Sequence, residues 1–373
     1  MEELSWPKHL INVLSNPKYL FPLLLGLFVF IFPPTDRLHR IHLRLRLDRL
    51  WTNAGGVFLL VLFLSFFLFG LTDPNFRLIV TKADNVPIVG LIFLVTFFLW
   101  FSMKQALEND RRMADGKKPI EADDKDPVLV WPDLVYGEFI AMIVCTILLI
   151  VWSIVLTAPL EQPANPAVSP NPSKAPWYFL GLQEMLVYFD PWIAGVVFPT
   201  VIIIGIMAIP YLDTNKKGCG YYSFADRKMA VSVFMFFWLV LWVFLIVVGT
   251  FLRGPNWNFF GPFEVWDIGK LEALTNVNLS ELIYMKLLNR RLPDNILVRE
   301  MGGFLVILGY FGVLPLILMK TLFRKLHQDL GNVRFSFFTI MLLMSFSLPI
   351  KMMLRWFFNI KYIVAIPEYF FNI

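Results

Sequence analysis

Charge is scarce in this chain, and so are cysteine and histidine. Asp, Glu, Lys and Arg make up only 16% of 373 residues and hydrophobic residues 57%, against about 25% and roughly 45–50% in soluble domains. That balance excludes an ordinary soluble globular protein. The 38 phenylalanines would leave sticky patches in water but suit lipid contact. Cys145 and Cys219, the two cysteines, cannot build a disulfide framework or a cysteine-rich metal site. The first falls in an apolar span and the second in a polar loop, so no pairing is expected. No Cys-x-x-Cys-His sequence occurs, which excludes c-type haem attachment. The histidines are His9, His39, His42 and His327, all outside the apolar spans, so the chain cannot supply two intramembrane imidazoles to a b-type haem. A basic leader is missing too. Met1-Glu2-Glu3 is acidic, so the first apolar span is expected to remain in the mature protein.

What is present is a series of apolar segments. Crossing the hydrocarbon core takes about 20 apolar residues, and eight segments qualify: 19–34, 52–72, 86–103, 134–158, 192–212, 229–251, 301–323 and 335–358. Backbone groups in lipid must be satisfied within the segment, so these are helices. The expected fold is all-α integral membrane. Lys and Arg set its orientation. Arg37, Arg40, Arg44, Arg46 and Arg49 crowd loop 35–51, Lys216, Lys217, Arg227 and Lys228 mark loop 213–228, and Arg324, Lys325 and Arg334 mark loop 324–334. With the mixed-charge loop 104–133, these alternate with loops 73–85, 159–191 and 252–300. The latter set and both termini are therefore expected on the outer side.

Segment 36–50 interleaves Arg and His with Leu and Ile, which suits a basic stretch against anionic lipid headgroups, or else a docking surface for a partner. Residues 107–127 read as a solvated charged linker ending in Asp-Lys-Asp-Pro. No internal repeat is apparent, which counts against an inverted-repeat transporter. The net charge of +5 sits between spans, not on a separate basic domain, and gives no ground for a nucleic-acid partner.

The chemistry concentrates in loop 159–191. Prolines at 159, 163, 166, 170, 172 and 176 forbid regular helix and stiffen the chain. Beyond them 177–189 is expected to form a short helix starting at Pro176, apolar except for Gln183 and Glu184. A stiff lead-in followed by a short aromatic helix suits a lid over a hydrophobic pocket. Glu184, beside such a pocket, would have its pKa raised by desolvation, as a general base requires. The alternatives are a solvent-facing carboxylate or one paired with Lys174. Glu138, about one turn into the fourth span, is a candidate for proton uptake at an inner quinone site, or else a structural, snorkelling residue. Lys320 reads as snorkelling.

Asn165-Pro166, Ala175-Pro176-Trp177-Tyr178-Phe179, Ile209-Pro210-Tyr211-Leu212-Asp213 and Arg253-Gly254-Pro255-Asn256-Trp257 follow one another at helical-span spacing, after Trp131-Pro132-Asp133-Leu134-Val135-Tyr136. This set resembles the C-terminal half of cytochrome b, or subunit IV of split complexes, over about 130–267. The family's loop carries Pro-Glu-Trp-Tyr at the quinol-oxidation site. Here Pro176 stands where the family has its proton-accepting glutamate, a Lys-Ala-Pro-Trp-Tyr form shared with bacterial chains associated with menaquinol.

The resemblance implies a multi-pass subunit of a bacterial inner-membrane quinol:cytochrome c reductase, with the quinol pocket walled by Pro176, Trp177, Tyr178, Phe179 and Leu180. Tyr178 would donate a hydrogen bond to a quinol oxygen, and Glu184 would replace the missing base. Partners would be a haem-bearing N-terminal-half cytochrome b, a Rieske iron–sulfur protein and a c-type cytochrome, in a dimeric complex contacting membrane lipids. The implied organisation is a three-span N-terminal extension at 1–106, a linker at 107–128, the cytochrome b-like part at 129–267, and an outer loop with two further spans at 268–373. The rival expectation is a structural membrane anchor whose quinol site has degenerated.

Overall fold

The computed structural model describes residues 5–123, 128–156, 163, 165–167, 169–215, 220–272 and 275–373. The Asp-Lys-Asp-Pro end of the linker, Pro159 with most of 157–168, and Lys216, Lys217 and Cys219 lie outside the described residues. Among the described residues, seven helices are long and apolar enough to cross a membrane, or eight if one bent pair is a single span.

The bent pair is α1 (Trp6–Leu14) and α2 (Pro17–Ile31), which meet at 77°. Pro17 lacks the N–H needed to continue α1, and the Asn16 side chain starts α2 by accepting from the Lys18 amide. Lys8 of α1 pairs with Asp73 at 2.9 Å, and the Asn12 side-chain Oδ1 accepts from the Phe263 amide. Its polar face thus holds the protein while Trp6, Leu10 and Leu14 stay exposed. That is the arrangement of a helix lying in the lipid interface.

The other helices that frame the fold are α3 (Asp36–Arg44), α4 (Asn53–Leu71), α5 (Pro74–Val80), α6 (Val86–Ala114), α7 (Val130–Val155), α8 (Trp177–Met185), α9 (Ile193–Leu212), α10 (Lys228–Leu252), α11 (Met301–Lys320) and α12 (Arg324–Phe358), with short helical turns between α10 and α11. Two boundaries differ from the sequence reading. The third span does not end near residue 103, and the segment read as the start of a solvated linker is helical as far as Ala114. Glu, Lys, Arg, Gln and Ala are good helix formers, so charge alone does not stop a helix. It stops where Gly116 takes a positive φ of 75°. The last helix begins eleven residues before the expected 335, but Gly331 at φ 73° breaks it and divides a polar lead-in from the apolar span.

The loops gather at two opposite ends, grouped as the Lys and Arg alternation predicts. At one end Asp110 accepts from the Ser223 hydroxyl and the Phe224 and Ala225 amides, and Lys228 pairs with Asp36 at 2.7 Å. At the other, Lys8 meets Asp73, Asn171 meets Asn256, and the Tyr362 hydroxyl donates to Asp190. A short antiparallel pair, β1 (Ala365–Ile366) with β2 (Phe371–Asn372), closes this second end.

One buried aromatic cluster joins the bundle. Phe21 of α2, fully buried, lies 5.2 Å from the Phe244 ring of α10 and 5.4 Å from Trp356 of α12. Tyr188, just past α8, stands edge-on to the same Trp356 at 5.7 Å. By contrast, none of the apolar window of α7 is buried.

Candidate functional site

The short helix expected after the prolines is α8, with Pro176 just outside as its N-terminal cap residue rather than its first turn. It divides into two faces. Leu180, Gly181, Glu184 and Met185, spaced at i, i+1, i+4 and i+5, turn inward. Leu180 lies against Gly249 of α10, and Gly181 lies close to Ile246. Tyr178 and Phe179, 50% and 51% exposed, look outward beside Trp177. Their rings touch, with the Tyr178 centroid 5.7 Å from Trp177 and 4.8 Å from Phe179.

The inward face carries a charge. Glu184 is fully buried, and each of its oxygens takes two donors. Oε1 accepts from Arg253 Nη2 at 2.7 Å and the Tyr188 hydroxyl at 3.0 Å. Oε2 accepts from Arg253 Nε at 3.0 Å and Trp257 Nε1 at 3.1 Å. A carboxylate offers about four lone-pair sites, so no direction is left for another donor. Burial and the neighbouring Glu184 charge push the Tyr188 hydroxyl well above its ordinary range, which keeps it a neutral donor.

Arg253 comes from the end of α10, and the turn behind it is tight. Asn256 and Trp257 both take positive φ, 57° and 56°, a strained state for a bulky residue. Arg253 Nη1 binds the Trp257 carbonyl at 2.9 Å. Gly254 is required by close approach, since a side chain there would meet the Phe260 ring at 2.5 Å. Asn171 exchanges two hydrogen bonds with Asn256 and ties the Pro-rich loop to this turn.

Lys174 does not pair with Glu184. Its ammonium donates to the Thr250 carbonyl at 2.8 Å and stands 4.8 Å over the Trp266 ring. Burial, reinforced by repulsion from Lys82, pulls its pKa down to about 7.

Of the residues singled out from sequence, Pro176, Trp177, Tyr178 and Phe179 sit together on the exposed side of α8. Leu180 points the other way, into the bundle. Glu184 sits behind them, neither solvent-facing nor in an apolar pocket. Glu138 is exposed on α7, near the end of that helix remote from the segment leading to α8. Arg253, Tyr188 and Trp257 were missed as partners of Glu184. The one available signal was Arg253, a cation at the very end of an apolar span. His39 and His42 lie on α3, His9 on α1, and His327 ahead of the Gly331 break in α12.

Residues 163–263 match the family described as cytochrome b (C-terminal)/b6/petD. The match covers about a quarter of the chain and marks this stretch as similar to a cytochrome b C-terminal domain. It contains the whole cluster from Lys174 to Trp257, while α7 with Trp131-Pro132-Asp133 lies outside the matched residues. No solved structure matches the chain. A cytochrome b C-terminal domain within a many-spanned chain fits a membrane subunit of a cytochrome bc-type complex, and it implies a partner carrying the N-terminal half.

Proposed function

We propose that this chain forms the outer quinol-oxidation site of a bacterial cytochrome bc-type quinol:cytochrome c reductase, together with a haem-bearing cytochrome b partner. The observation that carries the reading is the two-faced α8: the touching rings of Trp177, Tyr178 and Phe179, edge-on and tilted to one another, face outward, and the Glu184–Arg253 pair anchors the helix from behind. An aromatic wall, held rigid by its inward face, is what a planar quinol ring needs to be oriented. Tyr178 is the donor to a quinol oxygen, with Pro176, Trp177 and Phe179 as the wall. Leu180 supports the wall from inside, and Glu184 positions α8 through Arg253. Menaquinol is the favoured substrate because of the Lys-Ala-Pro-Trp-Tyr form.

The partner's haems and a Rieske cluster would take the electrons, passing one branch to a c-type cytochrome, with protons released at the outer end. The unburied surface of α7 is the natural seat for the partner, and a dimer is the expected assembly. The three N-terminal and two C-terminal spans dock further subunits or lipids, and Glu138 would serve an inner quinone site.

A second reading, a structural anchor with a degenerate site, is favoured by one observation: the buried carboxylate nearest the aromatic wall has no bonding direction left for substrate. Rapid-mixing haem reduction by menadiol in the purified complex separates the two. Fast reduction in wild type, slowed when Trp177 and Tyr178 are both replaced by alanine, is expected. Unchanged rates in that variant would leave the chain an anchor, and no reduction in wild type would remove the quinol reading.

A further inference from the structure

We propose that Lys174 is the group of this chain that receives a proton from quinol bound against α8, an inference that rests on the quinol-oxidation reading above. Oxidising a quinol to a quinone breaks two O–H bonds. Two electrons leave to the one-electron carriers of the partner, and two protons must be taken up by bases. The groups near α8 divide sharply by how committed they are. Glu184 is filled by four donors, and Tyr188 is one of those donors. Asp190 accepts from the Tyr362 hydroxyl at 3.0 Å and from Asn372. Arg253 is the counter-charge of Glu184. Lys174, on the segment that leads into α8, has no carboxylate partner at ion-pair distance among the described residues.

Its setting is built. The Gln183 side chain accepts from the Ala175 amide and donates to the Ser173 carbonyl, both at 2.8 Å, which fixes the backbone on either side of Lys174 onto α8. The amine is held between α10 and the 253–272 segment, on the Thr250 carbonyl and over the Trp266 ring. The Thr250 hydroxyl and the Trp266 N–H, on the two residues that the amine touches, are buried and have no partner among the described residues. Unpartnered buried polar atoms call for a ligand or a water. A water there would link the amine to a bound quinol hydroxyl.

The charged groups facing Lys174 are Lys82 and Asp84 from the α5–α6 loop, Glu184 on α8, and Arg253 at the end of α10. Lys82 and Arg253 disfavour its protonation, Asp84 and Glu184 favour it, and burial outweighs them all, leaving the pKa at about 7. A neutral amine is thus present at working pH, accepts the proton to become ammonium, and passes it on to the outer end.

The test uses the assembled complex. The reactivity of Lys174 towards an amine-acylating reagent is followed against pH by mass spectrometry of its peptide. A midpoint near 7 is expected, and one near the ordinary lysine value of about 10.4 overturns the proposal. In parallel, haem reduction by menadiol is measured for Lys174→Met and Lys174→Arg, with binding of a quinone analogue followed separately. Both variants should lose on the order of 10²-fold in rate with analogue binding retained, and the wild-type rise in rate through neutral pH should disappear. Unchanged rate and pH profile overturn the role of Lys174 while leaving the quinol site standing. Absence of reduction or analogue binding in wild type overturns the quinol site itself. Should a variant fail to assemble, the labelling midpoint in wild type decides.

Discussion

Arg253 grips Glu184 with two hydrogen bonds, at 2.7 and 3.0 Å, from a position 69 residues further along the chain. The pair ties α8 to the end of α10, and Tyr188 and Trp257 complete it. Removing one member of a buried pair leaves an uncompensated charge and costs about 3–5 kcal/mol, whereas removing both is often neutral. Glu184→Gln should therefore lower the thermal midpoint of the purified complex markedly. Glu184→Leu combined with Arg253→Met should recover most of that loss. A Glu184→Gln protein as stable as wild type would show that the pair does not hold α8.

Much of this was legible from sequence, for reasons that also mark the limits. Spans are legible because lipid demands about 20 consecutive apolar residues, and the two sets of loops follow from Lys and Arg counts. The inward turn of Leu180 was equally available, since residues 180 and 184 share one helical face. The partner of Glu184 was not, because nothing local to residues 177–189 encodes a contact with residue 253. The continuation of α6 to Ala114 was hidden by its charge, which marks the end of a span but not of a helix.

Tyr178 offers a hydroxyl on an exposed ring, so its loss should touch the substrate and not the fold. Tyr178→Phe is expected to raise the KM for menadiol by roughly fivefold, equivalent to about 1 kcal/mol for one hydrogen bond, with the thermal midpoint unchanged. An unaltered KM would remove the hydroxyl from quinol recognition.

Gly254 lies where a methyl group would strike the Phe260 ring at 2.5 Å. Gly254→Ala should destabilise the 253–258 turn by about 1–3 kcal/mol through overpacking. Adding Phe260→Leu should return part of the loss. Differential scanning of the single and double variants checks this, and a neutral Gly254→Ala would mean that Phe260 moves freely aside.

Lys174 also links stability to pH. Its folded pKa, about 7, lies below the unfolded value of about 10.4. Between these values the unfolded chain binds the extra proton, so native stability rises with pH. Below about 7 both states are protonated, and the cost of the buried charge is complete and constant. Subtracting Lys174→Met cancels the other titrations. The wild-type midpoint should therefore gain on the variant between pH 7 and 9 and stay parallel to it below pH 7. A flat difference across the whole range would show an ordinary lysine.

The two ends of the bundle differ in charge as well as in contacts, and a prediction of their sides follows. Arg37, Arg40, Arg44, Arg46 and Arg49 fall in one short segment, around α3, at the end opposite α8. Basic residues in short loops tend to remain on the cytoplasmic side, so α8, its aromatic face and the β1–β2 hairpin are expected outside. Cysteine substitutions at Phe370 and Val333, 88% and 84% exposed, sample the two ends without disturbing packing. With Cys145 replaced by serine to remove the background thiol on α7 and Cys219 likewise, a membrane-impermeant maleimide applied to intact spheroplasts should label Phe370→Cys and spare Val333→Cys until the membrane is opened. The reverse pattern would turn the chain over. It would carry the proposed quinol-oxidation surface to the inner side, where proton release could not contribute to an outward gradient.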